Sequence, residues 1–140
     1  MISARLHYAS LALIELALRQ GKPAPVAVRE ISELHGIPAP FLVQILRTLR
    51  GKGWVRSVRG SQGGYRLAVD PAQLTLLEIA DAVGCSESSC QTESNETVAN
   101  GQLHEVWGAA VQASRDVLAE TTLADIASKC SPSEAVMFYI

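Results

Sequence analysis

Hydrophobic residues in the first third of the chain recur every three or four positions, the spacing of one helix face. From Ser3, a residue type that caps helices, Leu6, Ala9, Leu13, Leu16 and Ala17 keep this period until Gly21 and the "KPAP" stretch end it. "VREISELHG" predicts a short amphipathic helix that stops at Gly36. "IPAPFLVQILRTLRGKG" restarts the pattern after prolines, which suit a helix N-terminus, with Leu42, Ile45, Leu46 and Leu49 as its apolar stripe. Two short helices around a tight glycine-containing turn make a helix-turn-helix pattern. The period then changes to two: "WVRSV" and "YRLAV" alternate around a glycine-rich connection, the mark of a β-hairpin. Helices followed by such a hairpin predict a winged helix.

Beyond the hairpin, Thr75 and Glu78 form a capping box at the head of the helix in "LTLLEIADAVG". "CSESSCQTESNETVANG" has almost no large apolar residue and reads as a loop of about 17 residues, a length that in compact domains usually serves function. "QLHEVWGAAVQASRDVLAET" then sets Leu103, Val106, Trp107, Ala110, Val111, Val117 and Leu118 on one broad stripe. A helix that long, outside the winged-helix core, has little of its own chain to pack on, which predicts dimerisation through the stripe. "TLADIASKC" closes the pattern as a short helix, on which Cys130 is expected to be a buried small hydrophobe. The expected fold is mainly α with a small β-hairpin wing. A winged helix-turn-helix DNA-binding domain spans 1–83, with its first helix contributing to the dimer. A cysteine-bearing sensor loop spans 84–101, and the dimerisation helix and tail span 102–140.

With 140 residues, 48% of them apolar, the chain has the size and composition of one domain with one good core. Charges such as Arg5 and Glu15 interrupt the apolar stretches before the roughly 18 residues of a membrane span. The first segment lacks the small-residue cleavage site of a signal peptide, so a cytoplasmic location without membrane attachment is expected. Three cysteines, Cys85, Cys90 and Cys130, are too few and too scattered for a secreted disulfide framework.

Charge changes the picture most. The formal net charge is −2, yet residues 1–67 hold ten Lys/Arg against three Asp/Glu (+7) and residues 68–140 hold two against eleven (−9). Phosphate attraction depends on local charge, so a basic head on an acidic remainder points to nucleic acid. In the third helix the inward stripe leaves Pro40, Val43, Gln44 and Arg47 facing outward, near the end that recognition helices offer to base edges. Gln44 can read adenine, and Arg47 can take phosphate or guanine. Arg59 at the hairpin tip, beside Gly60, can enter a narrow minor groove of strongly negative potential. Arg29, Phe41, Arg56, Ser57 and Arg66 complete the expected surface on double-stranded DNA. The acidic residues are scattered and form no paired-carboxylate or nucleophile–base constellation, which argues against an enzyme. A winged-helix adaptor for proteins is the competing class, and Arg56, Arg59 and Arg66 together argue against it.

Helix one with "HYA", the block "GIPAPFLVQILRTLRGKGWVRSVRGSQGGYRL", the "LTLLEIADAV" segment, the cysteine-bearing loop and the long helix together resemble the Rrf-two family of bacterial winged-helix transcription regulators. The wing motif "VRGxxGGYxL" is the most specific part of the match. The resemblance implies a homodimer on inverted-repeat promoter DNA, with the long helices crossed and the cysteine loop close to the partner's first helix. Members that carry an iron–sulfur cluster show three loop cysteines, whereas here only Cys85 and Cys90 stand, as C-x4-C. "HEVW" puts His104 where one subgroup has a histidine, and His7 matches the position that in other members supplies a ligand from the partner subunit. Cys85, Cys90, His104 and His7 are therefore the candidate ligands of a [2Fe–2S] cluster, since histidine can replace cysteine in such centres. A zinc site, a reversible Cys85–Cys90 disulfide, and control by a small-molecule effector or protein partner stay open beside it.

Overall fold

A computed structural model describes residues 2–84 and 96–130. Among these described residues, six helices and one hairpin follow in the order α1 (Ala4–Leu18), α2 (Val28–His35), α3 (Ala39–Gly51), β1 (Val55–Val58), β2 (Gly64–Leu67), α4 (Leu76–Ala82), α5 (Val98–Glu120) and α6 (Leu123–Lys129), with a 3-10 turn at Pro71–Gln73. The fold is mainly α with a small β wing.

Local chemistry sets the helix ends. Ser3 accepts the amide of Leu6 at the head of α1, and a left-handed Gly36 (φ 66°) closes α2. Thr75 with Glu78 and Thr122 with Asp125 form reciprocal capping boxes on α4 and α6. The core is one contiguous cluster: Leu13 and Leu16 of α1 meet Ile31 of α2, all four of Leu42, Ile45, Leu46 and Leu49 of α3, and Val55 and Leu67 of the hairpin. Ile79 of α4 and Leu123 of α6 close it from the acidic half. Each side chain of the α3 stripe is fully buried, so removing one should leave a cavity costing about 2–5 kcal/mol.

Glu15 interrupts the buried face of α1 and is itself buried. Its carboxylate accepts from Arg19 Nε at 2.8 Å and meets His35 Nε2 at 3.1 Å. Arg19 reaches on to Glu30 at 3.2 Å, and the hydrogen bond it donates to Glu15 holds its guanidinium pKa above the ordinary value. The group ties the end of α1 to both ends of α2.

Two expectations are corrected. The long helix starts at Val98, earlier than residue 102, because Thr97 caps it by accepting the amide of Asn100. Cys130 is exposed rather than buried, since it falls at the C-cap of α6, past the turn that carries Leu123 into the core. Among the described residues no helix is long and apolar enough to cross a membrane.

Candidate nucleic-acid interface

The turn between α2 and α3 is built by Ser32. Its carbonyl accepts the amides of Gly36 and of Ile37 (3.1 Å), and its hydroxyl donates to the Ile37 carbonyl at 2.6 Å. Pro38, the N-cap of α3, and Pro40 in the first turn start the next helix without needing amide partners. Burying Leu42, Ile45, Leu46 and Leu49 fixes the rotation of α3, which leaves Pro40, Gln44 and Arg47 exposed and Val43 half-buried. Phe41 is also half-buried, its ring edge-on to Tyr8 with centroids 5.7 Å apart, so it braces α3 against α1.

One brace was not visible in the sequence pattern. Arg5 Nη2 donates to Thr48 Oγ1 at 3.1 Å, linking α1 to the back of α3. Arg5 Nε is buried with no partner among the described residues. Arg5 looks like an ordinary helix-surface charge, and a partner 43 residues away has no local signature.

The wing is an antiparallel pair with Val55 opposite Leu67, Arg56 opposite Arg66, Ser57 opposite Tyr65 and Val58 opposite Gly64. Val26 adds a third, one-residue strand: its amide donates to the Tyr65 carbonyl at 3.0 Å, and the Tyr65 amide donates back at 2.8 Å. That close approach requires glycine at position 64, where a Cβ would collide with the Val26 carbonyl. Val55 and Leu67 are buried, while Arg56, Ser57, Arg59 and Gly60 (φ 116°) are exposed. The tip closes through the Gly63 amide on the Gly60 carbonyl at 3.0 Å. Arg66 is half-buried and donates to the Lys22 carbonyl at 3.1 Å. Arg29, on α2, is paired with Glu33 at 2.9 Å, and that hydrogen bond raises its pKa. Arg47, Arg56 and Arg59 carry no ion pair or hydrogen bond within the described residues, so their guanidinium groups are available to an external anion.

The sensor candidates are less assembled. Cys85 and Cys90 lie outside the described residues. His104 is exposed on α5, and His7 is exposed on α1 with its ring tilted 45° to Tyr8. Among the described residues no three His, Cys, Asp or Glu side chains come together as a metal site.

On α5 the proposed dimer stripe divides. Leu118 packs on the chain's own core and Val111 is half-buried, whereas Leu103, Val106, Trp107 and Val117 are half or more exposed and Ala110 is exposed with them.

The sequence matches the family model Rrf2, described as "Iron-dependent Transcriptional regulator", over residues 2–129. The chain belongs to the Rrf2 family. It is similar to the HTH-type transcriptional regulator CymR of Bacillus subtilis, 33% identical over 140 residues covering 99% of both chains. The HTH-type transcriptional regulator IscR of Sodalis glossinidius is 34% identical over 124 residues, covering 86% of this chain and 74% of IscR. Among solved structures, T. potens IscR superposes with a TM-score of 0.75 at 31% identity, covering 96% of this chain and 90% of that one. The oxidized form of Staphylococcus aureus CymR superposes at 0.73 with 32% identity, covering 91% and 95%. As a member of the Rrf2 family, the protein is a DNA-binding transcription regulator and not an enzyme.

Proposed function

We propose that this Rrf2 regulator works as a homodimer that binds an inverted-repeat operator in double-stranded DNA and senses redox, iron–sulfur or nitric-oxide status through the loop holding Cys85 and Cys90. The observation that carries the dimer is α5. It has no buried residue along its 23 positions, and the stretch before Val111 has only Asn100 even half-buried. A helical stretch of that length with no packing is marginal in water, so an exposed apolar stripe there calls for a second copy. In each half of the dimer, Gln44 and Arg47 face the major groove, with Pro40 and Val43 against the base edges and backbone. Arg59 enters the minor groove, with Gly60 beside it at the tip, and Ser57 lies along the adjoining phosphates.

For the sensor, two thiols and two imidazoles form a donor set that fits a [2Fe–2S] cluster, which supplies an electron-accepting centre when bound. Neither His7 nor His104 is tied up by a hydrogen bond of its ring among the described residues, and both are exposed, as ligands meeting across two chains need to be. Cys85, Cys90 and His104 of one chain and the partner's His7 would hold the group. The similarity to IscR supports this reading, and the similarity to CymR supports the metal-free one, a Cys85–Cys90 thiol switch.

The test is the visible absorption spectrum, iron and sulfide content, and mass of protein purified without oxygen. A cluster gives colour and stoichiometric iron that Cys85→Ala and Cys90→Ala each abolish. A thiol switch gives colourless protein whose operator affinity changes with reductant and whose oxidised form loses two mass units, one Cys85–Cys90 disulfide. Colourless protein with operator affinity indifferent to reductant defeats both.

A further inference from the structure

Between the C-terminal end of α1 and the root of the wing lies a cavity of about 110 Å³. One water needs about 10–15 Å³ of such space, so the cavity has room for a group of several atoms. Three arginines line it, Arg19, Arg56 and Arg66, together with Gln20 and Tyr65, and among the described residues no carboxylate lines it. Leu16 and Leu67, both buried, are also among its lining residues.

The three guanidinium groups are not equivalent. Arg19 is held in place by Glu15 and Glu30, so it offers fixed donors but little net charge. Arg66 spends one donor on the Lys22 carbonyl, and no acid among the described residues neutralises it. Arg56 has no hydrogen bond or ion pair within the described residues. Arg56 and Arg66 are also direct cross-strand partners, and like charges directly opposite in a sheet destabilise the pair. An anion between them turns that repulsion into two attractions, and a planar guanidinium presents the paired donors that oxyanions accept.

We propose that this cavity is a binding site for a small oxyanion, the phosphate, sulfate or carboxylate group of a small molecule. Arg56 and Arg66 supply the charge, and Arg19 and Gln20 supply the fixed donors. Gln44, Arg47 and Arg59 do not line it, so the site is separate from the recognition helix and the wing tip. The same chemistry would accept a DNA backbone phosphate, and the place of the cavity between α1 and the hairpin, with Gln44, Arg47 and Arg59 absent from its lining, favours the free anion. An occupant bridges the hairpin to α1 and so fixes the direction in which the wing leaves the core.

Inorganic phosphate is the probe. The full chain, without DNA, is titrated with sodium phosphate replacing sodium chloride at constant ionic strength, and the thermal midpoint and phosphorus NMR line width are read. The expected result is a saturable response to phosphate alone. In Arg56→Gln the half-saturating concentration should rise about tenfold, the scale of one lost charge-assisted contact. Gln20→Ala, uncharged and outside the hairpin, should raise it about threefold, the scale of one neutral hydrogen bond. Both side chains are exposed, and the midpoint in chloride checks that each variant folds. Absence of a saturable response, or an unchanged half-saturation in both variants, overturns the proposal. A tenfold rise in half-saturation when saturating operator duplex is added also overturns it, because a DNA phosphate would then be the occupant. Since the primary titration contains no DNA, failure of operator recognition leaves it readable.

Discussion

Glu15 shows how one residue can stabilise a junction that its own helix does not need. A carboxylate on the buried face of α1 would cost several kcal/mol if unpaired. Here it is flanked by Arg19 at 2.8 Å and His35 at 3.1 Å, which makes it the joint between α1 and the last turn of α2. Glu15→Gln keeps the shape and removes the charge, leaving Arg19 with one weaker acceptor. The expected loss is about 1–3 kcal/mol of folding stability, read as a lower denaturation midpoint in urea. Glu33→Gln, whose carboxylate is exposed beside Arg29, should change stability far less, because exposed pairs contribute about 0–1 kcal/mol. The sequence shows Glu15 only as a break in an apolar run; Arg19 is a visible i, i+4 partner, but His35 lies 20 residues on and is brought near only by packing. Cys130 is the converse case. Its place on an apolar-flanked C-terminal helix suggests burial, and the end of α6 one position earlier puts it outside.

At the scale of elements, boundaries were legible where a side chain signals them. Ser3, Gly36 and Thr75 each act on the nearest turn, so α1 and α4 start, and α2 closes, where the pattern indicates. The start of α5 was not legible, because "NETVANG" has no apolar period and a single cap, Thr97, decides it. The hairpin was legible from its alternation, but the third strand contact at Val26 was not, since one residue carries no period. The wing therefore stands on two supports, the Val26 bridge and the buried Val55 and Leu67, and its exposed tip does not contribute to either. Arg59→Ala should leave the thermal midpoint unchanged while weakening operator binding by about 1–3 kcal/mol, the scale of a specific groove contact. Electrophoretic mobility shift at fixed salt measures it, and an affinity equal to that of the native protein would remove the tip from the interface.

For the whole molecule, the two faces of α5 divide its labour. Val111, Ser114, Arg115 and Leu118 share one face, half-buried toward the chain's own body, and Arg115 pairs with Asp81 of α4 at 3.1 Å. Leu103, Val106, Trp107, Ala110 and Val117 share the neighbouring face, and it is exposed. Leu103, Ala110 and Val117 repeat every seven residues, the period by which two helices cross and stay in register. At about 1.5 Å per residue the helix is roughly 34 Å long, enough to hold two DNA-binding heads apart on successive turns of one groove. In the proposed dimer the heads sit on one end of the chain and the stripe on the other, so operator affinity would depend on the stripe although the stripe does not touch DNA. Trp107→Glu places a charge in the middle of that face, where a second copy would have to desolvate it, while in the single chain the side chain already meets water. The expected outcome is a folded monomer, shown by unchanged helical circular dichroism and half the native mass in sedimentation equilibrium. Its affinity for a single half-site should equal that of the native chain, and its affinity for the inverted repeat should fall by a factor of about a hundred or more, the advantage of linked binding. A variant that remains dimeric would move the interface elsewhere on the molecule, and a monomer that binds the full repeat as tightly as the native chain would show that the two heads do not act through α5.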